Sequence, residues 1–351
     1  MKRSQGPIFY IHIGLPKTAT TTIQYFLTTH RDALLRRGVL YPRSIAMSDG
    51  HAELHRVLGL AVEPESVPWL AGLRKQLDGE DVIASLLKET RRTEADIVIL
   101  SSEALAFMHR PAALRQALAP HPVRILIYLR RQDSFLASFY NQLIKSGLYA
   151  ATFEEFLVQH AQNAIELRGH LRSLAICNYE RLLDLWADAF GQDNIAVGVY
   201  EDYDFPDGLL RDMAAKTKIN VLDLAPPDVD ANRTLQSSIL SLKRRVNELL
   251  CSNEERILSE RIFTDYIADN EALPSPEEIL ACLARRQAIL ASYQESNARV
   301  AVKYFGGRPH LFNPPNEHDP PLPDWREKDW QDPRHDAAIQ IIARLFKKFS
   351  R

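Results

Sequence analysis

The chain has few cysteines, little net charge and no long apolar run. Cys177, Cys251 and Cys282 are odd in number and far apart, so they predict reduced thiols of a cytoplasmic protein rather than a disulfide framework or a zinc site. The net charge of -2 at pH 7 gives no global field for nucleic acid, and we expect no such partner. No stretch reaches the roughly 18 apolar residues of a membrane span, so no transmembrane segment is predicted.

A secretory signal peptide is not predicted either. Lys2 and Arg3 precede an apolar run over residues 8–15, but Lys17 ends that run and no small-residue cleavage site follows it. The run predicts a buried first strand instead. With 351 residues, 46% of them hydrophobic and 25% charged, the chain is long enough for a sizeable core in one large or two smaller domains.

This strand leads into a Gly-Pro turn, a lysine and a hydroxyl-rich helix start, within the letters IHIGLPKTATTT. Gly14 is expected to take backbone angles that other residues avoid. The first amides of the following helix have no partner within it and lie at the positive end of its dipole, where anions bind. Lys17 adds a full charge. Four hydroxyl groups add donors suited to a phosphate or a sulfate, and they belong to Thr18, Thr20, Thr21 and Thr22.

The loop pattern of nucleotide hydrolases, G-x-x-x-x-G-K-[ST], is absent, because Lys17 follows Gly14 by only three residues and no glycine precedes it directly. The letters PKTATTT resemble instead the 5′-phosphosulfate loop of sulfotransferases that use 3′-phosphoadenosine 5′-phosphosulfate, which usually read P-K-[ST]-G-T-T. Ala19 stands at the glycine position, and in ordinary helical angles it would still present its amide. Taken alone, the stretch also fits an ordinary strand, turn and helix capped by threonines.

Two later buried strands are predicted to end beside charged side chains. The strand at residues 96–100 is followed by Glu103, and the strand at residues 123–129 is followed directly by Arg130. In doubly wound sheets ligands bind at the carboxyl ends of the strands, where the loop of Lys17 also lies. Glu103 is therefore a site candidate. The alternative is that it is a first-turn glutamate favourable to a helix dipole.

A second motif follows Arg130. Ser138 lies eight residues further on, a little over two helical turns, so both side chains can face one pocket. The stretch RRQDSFLASFYNQ resembles the 3′-phosphate motif of the same family, whose arginine and serine keep this spacing. Tyr200, at the end of a predicted strand, resembles the tyrosine that approaches the adenine. Two motifs in the right order, about 110 residues apart, are much harder to obtain by chance than one.

The resemblance implies an α/β fold, a P-loop-like three-layer sandwich with a central parallel sheet, over residues 1–225. Residues 226–351 are predicted to form a helical extension that packs on this core. Helical patterns run over residues 235–250 and 277–302, and a proline-rich strap precedes a last helix over residues 336–349.

The resemblance also implies a bacterial enzyme that moves a sulfo group from 3′-phosphoadenosine 5′-phosphosulfate to a hydroxyl or amine acceptor. The expected donor-binding residues are Lys17, Thr18, Ala19, Thr20, Thr21, Thr22, Arg130, Ser138 and Tyr200. Sulfuryl transfer resembles phosphoryl transfer, so it requires positioned groups and charge stabilisation, and no metal is expected. A kinase of the same superfamily, with Mg²⁺, and a nucleotide-binding module without turnover are the alternatives.

The acceptor needs a base. Several carbohydrate-directed relatives employ a glutamate there, so Glu103 is the expected base, with His12 and His109 as competitors. His51 and His55 lie one helical turn apart, but without a third ligand they predict a solvent-facing helix rather than a metal site.

A saccharide or glycolipid is the expected acceptor. It would be met by tryptophans and by the arginines of the extension, Arg233, Arg244, Arg245, Arg285 and Arg286. Solvated helix faces carry the same charges, and the oligomeric state stays open.

Overall fold

The structure is a computed structural model. It describes residues 6–51, 54, 79–107, 110–162, 165–167, 170–172, 177–203, 206–221, 223–226, 237–269, 283–319, 339–340, 342–344, 346 and 349.

Five parallel strands form the central sheet, which confirms the predicted α/β class. Their bounds are β1 Ile8–Ile13, β2 Val39–Leu40, β3 Ile97–Ser102, β4 Val123–Leu129 and β7 Ile195–Val199. The spatial order is β2-β3-β1-β4-β7. Ile11 in the central strand pairs with Leu100 on one side and with Ile125 on the other. The carboxyl ends of β1, β3 and β4 therefore meet at one edge of the sheet.

A short antiparallel hairpin, which the sequence did not predict, joins β5 Ile165–Leu167 to β6 His170–Arg172. Twelve helices surround the strands in the described parts of the chain. They are α1 Thr20–Thr29, α2 Arg31–Leu35, α3 Gly79–Thr93, α4 Pro111–Ala117, α5 Gln132–Lys145, α6 Phe153–Ala161, α7 Tyr179–Phe190, α8 Asp207–Thr217, α9 Ser237–Leu249, α10 Asn253–Asp269, α11 Leu283–Ala291 and α12 Gln294–Tyr304. The described residues between 339 and 349 are also helical.

The sheet is covered on both faces, which explains why its strands read as near-continuous apolar runs. Phe9 and Ile11 of β1 belong to the larger hydrophobic core, whereas Tyr10 between them belongs to a second core on the opposite face. The larger core also contains Val300 and Phe312 from beyond residue 226. The C-terminal helices therefore pack on the α/β part, while the division into two domains stays a prediction.

Three helices differ from what the sequence predicts. The apolar spacing over residues 20–36 predicts one helix, but it breaks at His30, which leaves helical angles and contacts the Ala225 carbonyl at 3.0 Å through Nε2. Of the helix expected over residues 277–302, the described residues from 283 onward belong to two helices, α11 and α12. Helix α10 was not predicted at all. Within the described ranges, no helix is long and apolar enough to cross a bilayer.

Candidate active site

The anion loop, residues 14–22, follows β1 at the carboxyl edge of the sheet and leads into α1. The expectation of unusual backbone angles at Gly14 is wrong, since its φ is not positive. Glycine is needed there for space: a Cβ at this position would lie 2.4 Å from Thr20 Cγ2 and 3.1 Å from Glu103 Cγ. Gly14 thus lets the loop and the end of β3 approach each other closely.

The left-handed conformation falls on two other residues of the loop. Lys17 has φ 66°, and Ala19, the N-cap of α1, has φ 60° and ψ 27°. The expectation that Ala19 takes ordinary helical angles is therefore wrong. Glycine, which the resembling motif carries at this position, adopts this region without the steric cost that a Cβ imposes.

The groups of the loop that remain available to an anion are backbone amides. The first hydrogen bond of α1 joins the Ile23 amide to the Ala19 carbonyl, 3.2 Å apart, so the amides of residues 20–22 have no partner in the helix. Two hydroxyls hold the loop itself, because Thr18 Oγ1 and Thr20 Oγ1 donate to the Leu15 carbonyl at 2.7 and 3.1 Å. Thr22 is buried as well, whereas the side chain of Thr21 is half-buried.

Lys17 lies in a half-buried place and contacts helix α5. Its Nζ donates to Gln142 Oε1 at 3.4 Å. Burial lowers the pKa of the ammonium to about 8, the carboxyl of Glu103 opposes this shift, and the positive charges of Lys145 and Arg130 reinforce it. A group that gained negative charge beside Lys17 would therefore be met by a cation with little competition from water.

Glu103 comes directly after β3 and begins the short 3-10 helix Glu103–Phe107. Burial raises the pKa of its carboxyl to about 7, and the charge of Lys17 works against that shift. No hydrogen bond engages the side chain within the described residues. The carboxyl is half-buried, has no hydrogen-bond partner among the described residues and can exchange a proton near neutral pH. A general base requires these properties.

Arg130 joins the two motifs. Its Nη1 donates to the carbonyl oxygen of Lys17 at 2.7 Å, and its guanidinium carbon lies 5.3 Å from the centroid of the Tyr200 ring. Its Nε is buried and has no hydrogen-bond partner in the part of the chain that is described. The guanidinium thus keeps an N–H group that can donate a hydrogen bond to a ligand oxygen. It lies next to an aromatic ring on which a base can stack.

Helix α5 presents a single polar face. Most of its first ten residues are buried, but Ser138 is half-buried, as are Gln142 one turn later and Lys145 three residues further. Residues three or four apart lie on the same face of a helix. Because Gln142 contacts Lys17, this face lines the space next to the anion loop. We call the set Lys17, Glu103, Ser138, Gln142 and Lys145 the polar cleft.

The sequence did not single out Gln142 and Lys145. The signal that identifies them is their spacing of four and seven residues from Ser138 on one helix, and it needs the position of Ser138 as its starting point.

Arg131, next to Arg130, belongs to a buried ion cluster instead. Arg131 and Arg286 each bind both Asp133 and Asp319, with nitrogen–oxygen distances of 2.8 and 2.6 Å for Arg131 and 2.8 and 3.3 Å for Arg286. The cluster ties α11, through Arg286, and the segment after α12, through Asp319, to the start of α5. Of the two adjacent arginines, only Arg130 faces the polar cleft.

Of the four histidines that the sequence singled out, the two that the structure describes, His12 and His51, are buried. His12 is buried, contacts Ser101 Oγ at 2.8 Å through Nδ1, and burial lowers its pKa to about 4. His51 is fully buried, with Pro42 O at 3.0 Å from Nε2 and the Ser101 amide donating to Nδ1 at 3.1 Å. The prediction of a solvent-facing His51 is therefore wrong. His55 and His109 lie outside the described residues.

Three of the arginines that were expected to meet an acceptor have partners within the protein. Arg244 donates to the Ala150 carbonyl at 2.7 Å and pairs with Glu248, and the partly exposed Arg285 pairs with Glu154. The third, Arg286, is buried in the ion cluster. Residue 233 lies outside the described ranges. No group of three or more metal-ligating side chains occurs in the described part of the chain.

Comparisons with known proteins give few matches. No family model matches the chain. An uncharacterized protein of Archaeoglobus fulgidus is 27% identical over 213 residues, which are 60% of this chain and 54% of that protein, so the chain spans about half the length of this relative. Among solved structures, a sulfotransferase from Alicyclobacillus acidocaldarius is 18% identical, with 76% of this chain and 94% of that chain covered and a TM-score of 0.41. The sulfotransferase domain of an olefin synthase from Synechococcus PCC 7002 is 13% identical, with 76% and 96% covered and a TM-score of 0.37.

Proposed function

We propose that the protein is a sulfotransferase that transfers a sulfo group from 3′-phosphoadenosine 5′-phosphosulfate to a hydroxyl acceptor. The observation that carries the proposal is the 2.7 Å hydrogen bond from Arg130 to the carbonyl of Lys17. It brings two motifs that lie 113 positions apart in the chain into contact, which supports one binding site made from both. One end of the pocket offers free amides and a lysine, and the other offers an arginine beside a tyrosine ring. Those groups suit a nucleotide with an anion at each end of its ribose.

The reaction is an in-line displacement at sulfur. The bond from sulfur to the oxygen that bridges it to phosphate breaks, and a bond from the acceptor oxygen to sulfur forms. The acceptor proton passes to the carboxylate of Glu103. Negative charge grows on the bridging oxygen as it leaves, and Lys17 stabilises that charge, while the amides of the anion loop hold the phosphate and sulfo oxygens.

Calorimetry with 3′-phosphoadenosine 5′-phosphate in the presence of EDTA tests donor binding. Replacing Arg130 with alanine removes charge-assisted hydrogen bonds worth about 1.5–3 kcal/mol, so affinity should fall on the order of ten- to a hundredfold. Arg181→Ala, on the exposed side of α7, is the matched control and should bind as the wild type does. Unchanged affinity in a folded Arg130→Ala protein would contradict the assignment of the 3′-phosphate site.

Lys17→Ala should abolish transfer of radiolabelled sulfate while reducing donor binding much less. The reason is that Lys17 serves a leaving oxygen that becomes strongly negative only during the reaction. Lys88→Ala, an exposed lysine of α3, is the control. Transfer at a near wild-type rate in the Lys17 variant would refute the mechanism. A rise in melting temperature with Mg²⁺ and ATP, but not with 3′-phosphoadenosine 5′-phosphate, would point to a kinase.

A further inference from the structure

The helical extension contacts the chain directly after Arg130. Arg131 pairs through Nη2 with Asp319, at 2.6 Å, and Asp133 in the first turn of α5 accepts from Nε of Arg286, at 2.8 Å. Arg131, Asp133 and Arg286 are buried, so these bonds are largely shielded from water. The ion cluster therefore fixes the residues on both sides of position 132 to the extension.

Gln132, between these two residues, is held by α12. Its side-chain amide exchanges two hydrogen bonds with that of Asn297. Gln132 Nε2 donates to Asn297 Oδ1 at 2.9 Å, and Asn297 Nδ2 donates to Gln132 Oε1 at 3.1 Å. Both residues are buried, and a buried amide that loses such a partner is costly. Three consecutive residues after Arg130 are thus bound by the extension.

The carbonyl of Arg130 is also linked to the extension. Tyr179 Oη donates to this carbonyl at 2.5 Å, and the Tyr179 ring packs edge-on against Phe312, with the ring centroids 5.9 Å apart. The next residue, Asn313, accepts from Arg131 Nη1 through its carbonyl at 3.2 Å. The residues after α12 therefore contact both the partner of the Arg130 carbonyl and the residue that follows Arg130.

The start of α5 needs such support. No side chain among the described residues caps this helix, whose N-cap is Arg131. Uncapped helix ends fray. Fraying here would move the backbone of Arg130, whose guanidinium contacts the Lys17 carbonyl and lies beside the ring of Tyr200. A ligand would then have to order the arginine as it binds, and affinity would fall.

We propose that Arg286 and Asn297 are positioning residues for Arg130, so that recognition of the 3′-phosphate depends on the helical extension. This inference rests on the proposed sulfotransferase function. Both residues act through the chain that follows Arg130 and not through a contact with the donor. Loss of either should therefore lower the affinity for a nucleotide that carries a 3′-phosphate, but not the affinity for one that lacks it.

Calorimetry with two nucleotides tests this inference. 3′-Phosphoadenosine 5′-phosphate has the group that Arg130 is proposed to bind, and adenosine 5′-phosphate lacks it. Asn297→Ala should weaken binding of the first on the order of three- to tenfold, the cost of ordering one side chain, and leave binding of the second within about twofold of the wild type. Lys303→Ala, an exposed residue of the same helix that pairs with Asp184 of α7, is the control and should leave both affinities unchanged.

A double-mutant cycle links the effect to Arg130. In a protein that already carries Arg130→Ala, Asn297→Ala should not weaken binding of 3′-phosphoadenosine 5′-phosphate further, because changes that act on one contact are not additive.

A second variant, Arg286→Lys, carries the test if Asn297→Ala does not fold. It keeps the charge of the ion cluster but loses the planar fork that contacts two carboxylates. It should weaken binding of the same nucleotide selectively. Arg299→Lys is its control, since Arg299 is exposed on α12 and pairs with Glu180.

Three results would overturn the inference: unchanged affinity of both variants for 3′-phosphoadenosine 5′-phosphate, equal losses for the two nucleotides, or a full effect of Asn297→Ala in the Arg130→Ala protein. In each case, weaker binding by Arg130→Ala alone would leave the proposed function intact. Wild-type affinity in Arg130→Ala alone would instead refute the 3′-phosphate site on which the proposed function depends.

Discussion

The change Ala19→Gly tests the conformation of the anion loop. Ala19 lies at φ 60° and ψ 27°, in the left-handed region, where a Cβ costs about 1–2 kcal/mol. Glycine removes this cost, but its greater freedom in the unfolded chain costs about 0.4–1 kcal/mol. The difference predicts that the free energy of unfolding stays the same or rises by up to about 1.5 kcal/mol.

Ala84→Gly is the matched control. Ala84 is exposed in the interior of α3, where glycine in place of alanine lowers the free energy of unfolding by about 1 kcal/mol. The same chemical change should therefore be neutral or stabilising in the loop and destabilising in the helix.

Urea denaturation followed by circular dichroism measures the free energy of unfolding of both variants and of the wild type. The slope of this free energy against urea concentration should be the same in all three proteins. The reasoning is refuted if Ala19→Gly loses as much stability as Ala84→Gly does. That outcome would mean that Ala19 takes ordinary helical angles and that no steric cost exists at the start of α1.

Two further predictions concern charge. The acid limb of kcat/KM should lie near pH 7, because Glu103 must lose its proton to act, and the basic limb near pH 8, because Lys17 must keep its proton. Glu103→Gln should abolish the acid limb along with most of the activity. An acid limb that is retained in this variant would show that another group is the base. Asp133→Asn should lower the free energy of unfolding by about 3–5 kcal/mol, because it leaves two buried arginines short of negative charge. The exposed Asp188→Asn is its control, and equal stability of the two variants would contradict a structural role for the ion cluster.

The elements that the sequence predicts best are those with a single strong pattern. The strand predicted over residues 123–129 agrees with β4 at both ends. The apolar spacing of YERLLDLWADAF likewise predicts a helix over residues 179–190, and α7 has these bounds. β4 is apolar almost throughout because both faces of the sheet are covered. α7 has one apolar stripe, with Leu183 and Trp186 buried.

Helix α10 lacks such a stripe. Ile257 and Ile262 are exposed on it while Phe263 is buried, so its apolar residues do not define one face. Phe263 packs with Val246 and Leu250 of α9 and with Ile339 and Phe346, so the burial of α10 depends on residues elsewhere in the chain. The same holds for the ion cluster, in which Asp133 and Asp319 are 186 positions apart. When the burial of a residue depends on partners that are distant in the sequence, the apolar residues around it show no regular spacing from which the element could be predicted.

The backbone of the anion loop could be predicted only in part for a related reason. The sequence identifies a glycine, a lysine and threonines at a helix start, but it does not say which residue takes the left-handed angles. The close approach of Glu103 limits the space at Gly14, whereas the positive φ values are those of Lys17 and Ala19. The first of these features depends on the end of β3, which lies more than 80 positions later in the chain.

Lys17 and Glu103 shift each other's pKa, and these shifts bear on the proposed reaction. Burial lowers the pKa of Lys17 and raises the pKa of Glu103, and the charge of each group partly offsets the shift of the other. A bound donor brings negative charge next to both groups, which raises both pKa values. Lys17 then keeps its proton when the leaving oxygen needs it, and Glu103, once ionised, becomes a stronger base. Too great a rise would leave Glu103 protonated, and the positive charge of Lys17 limits the rise.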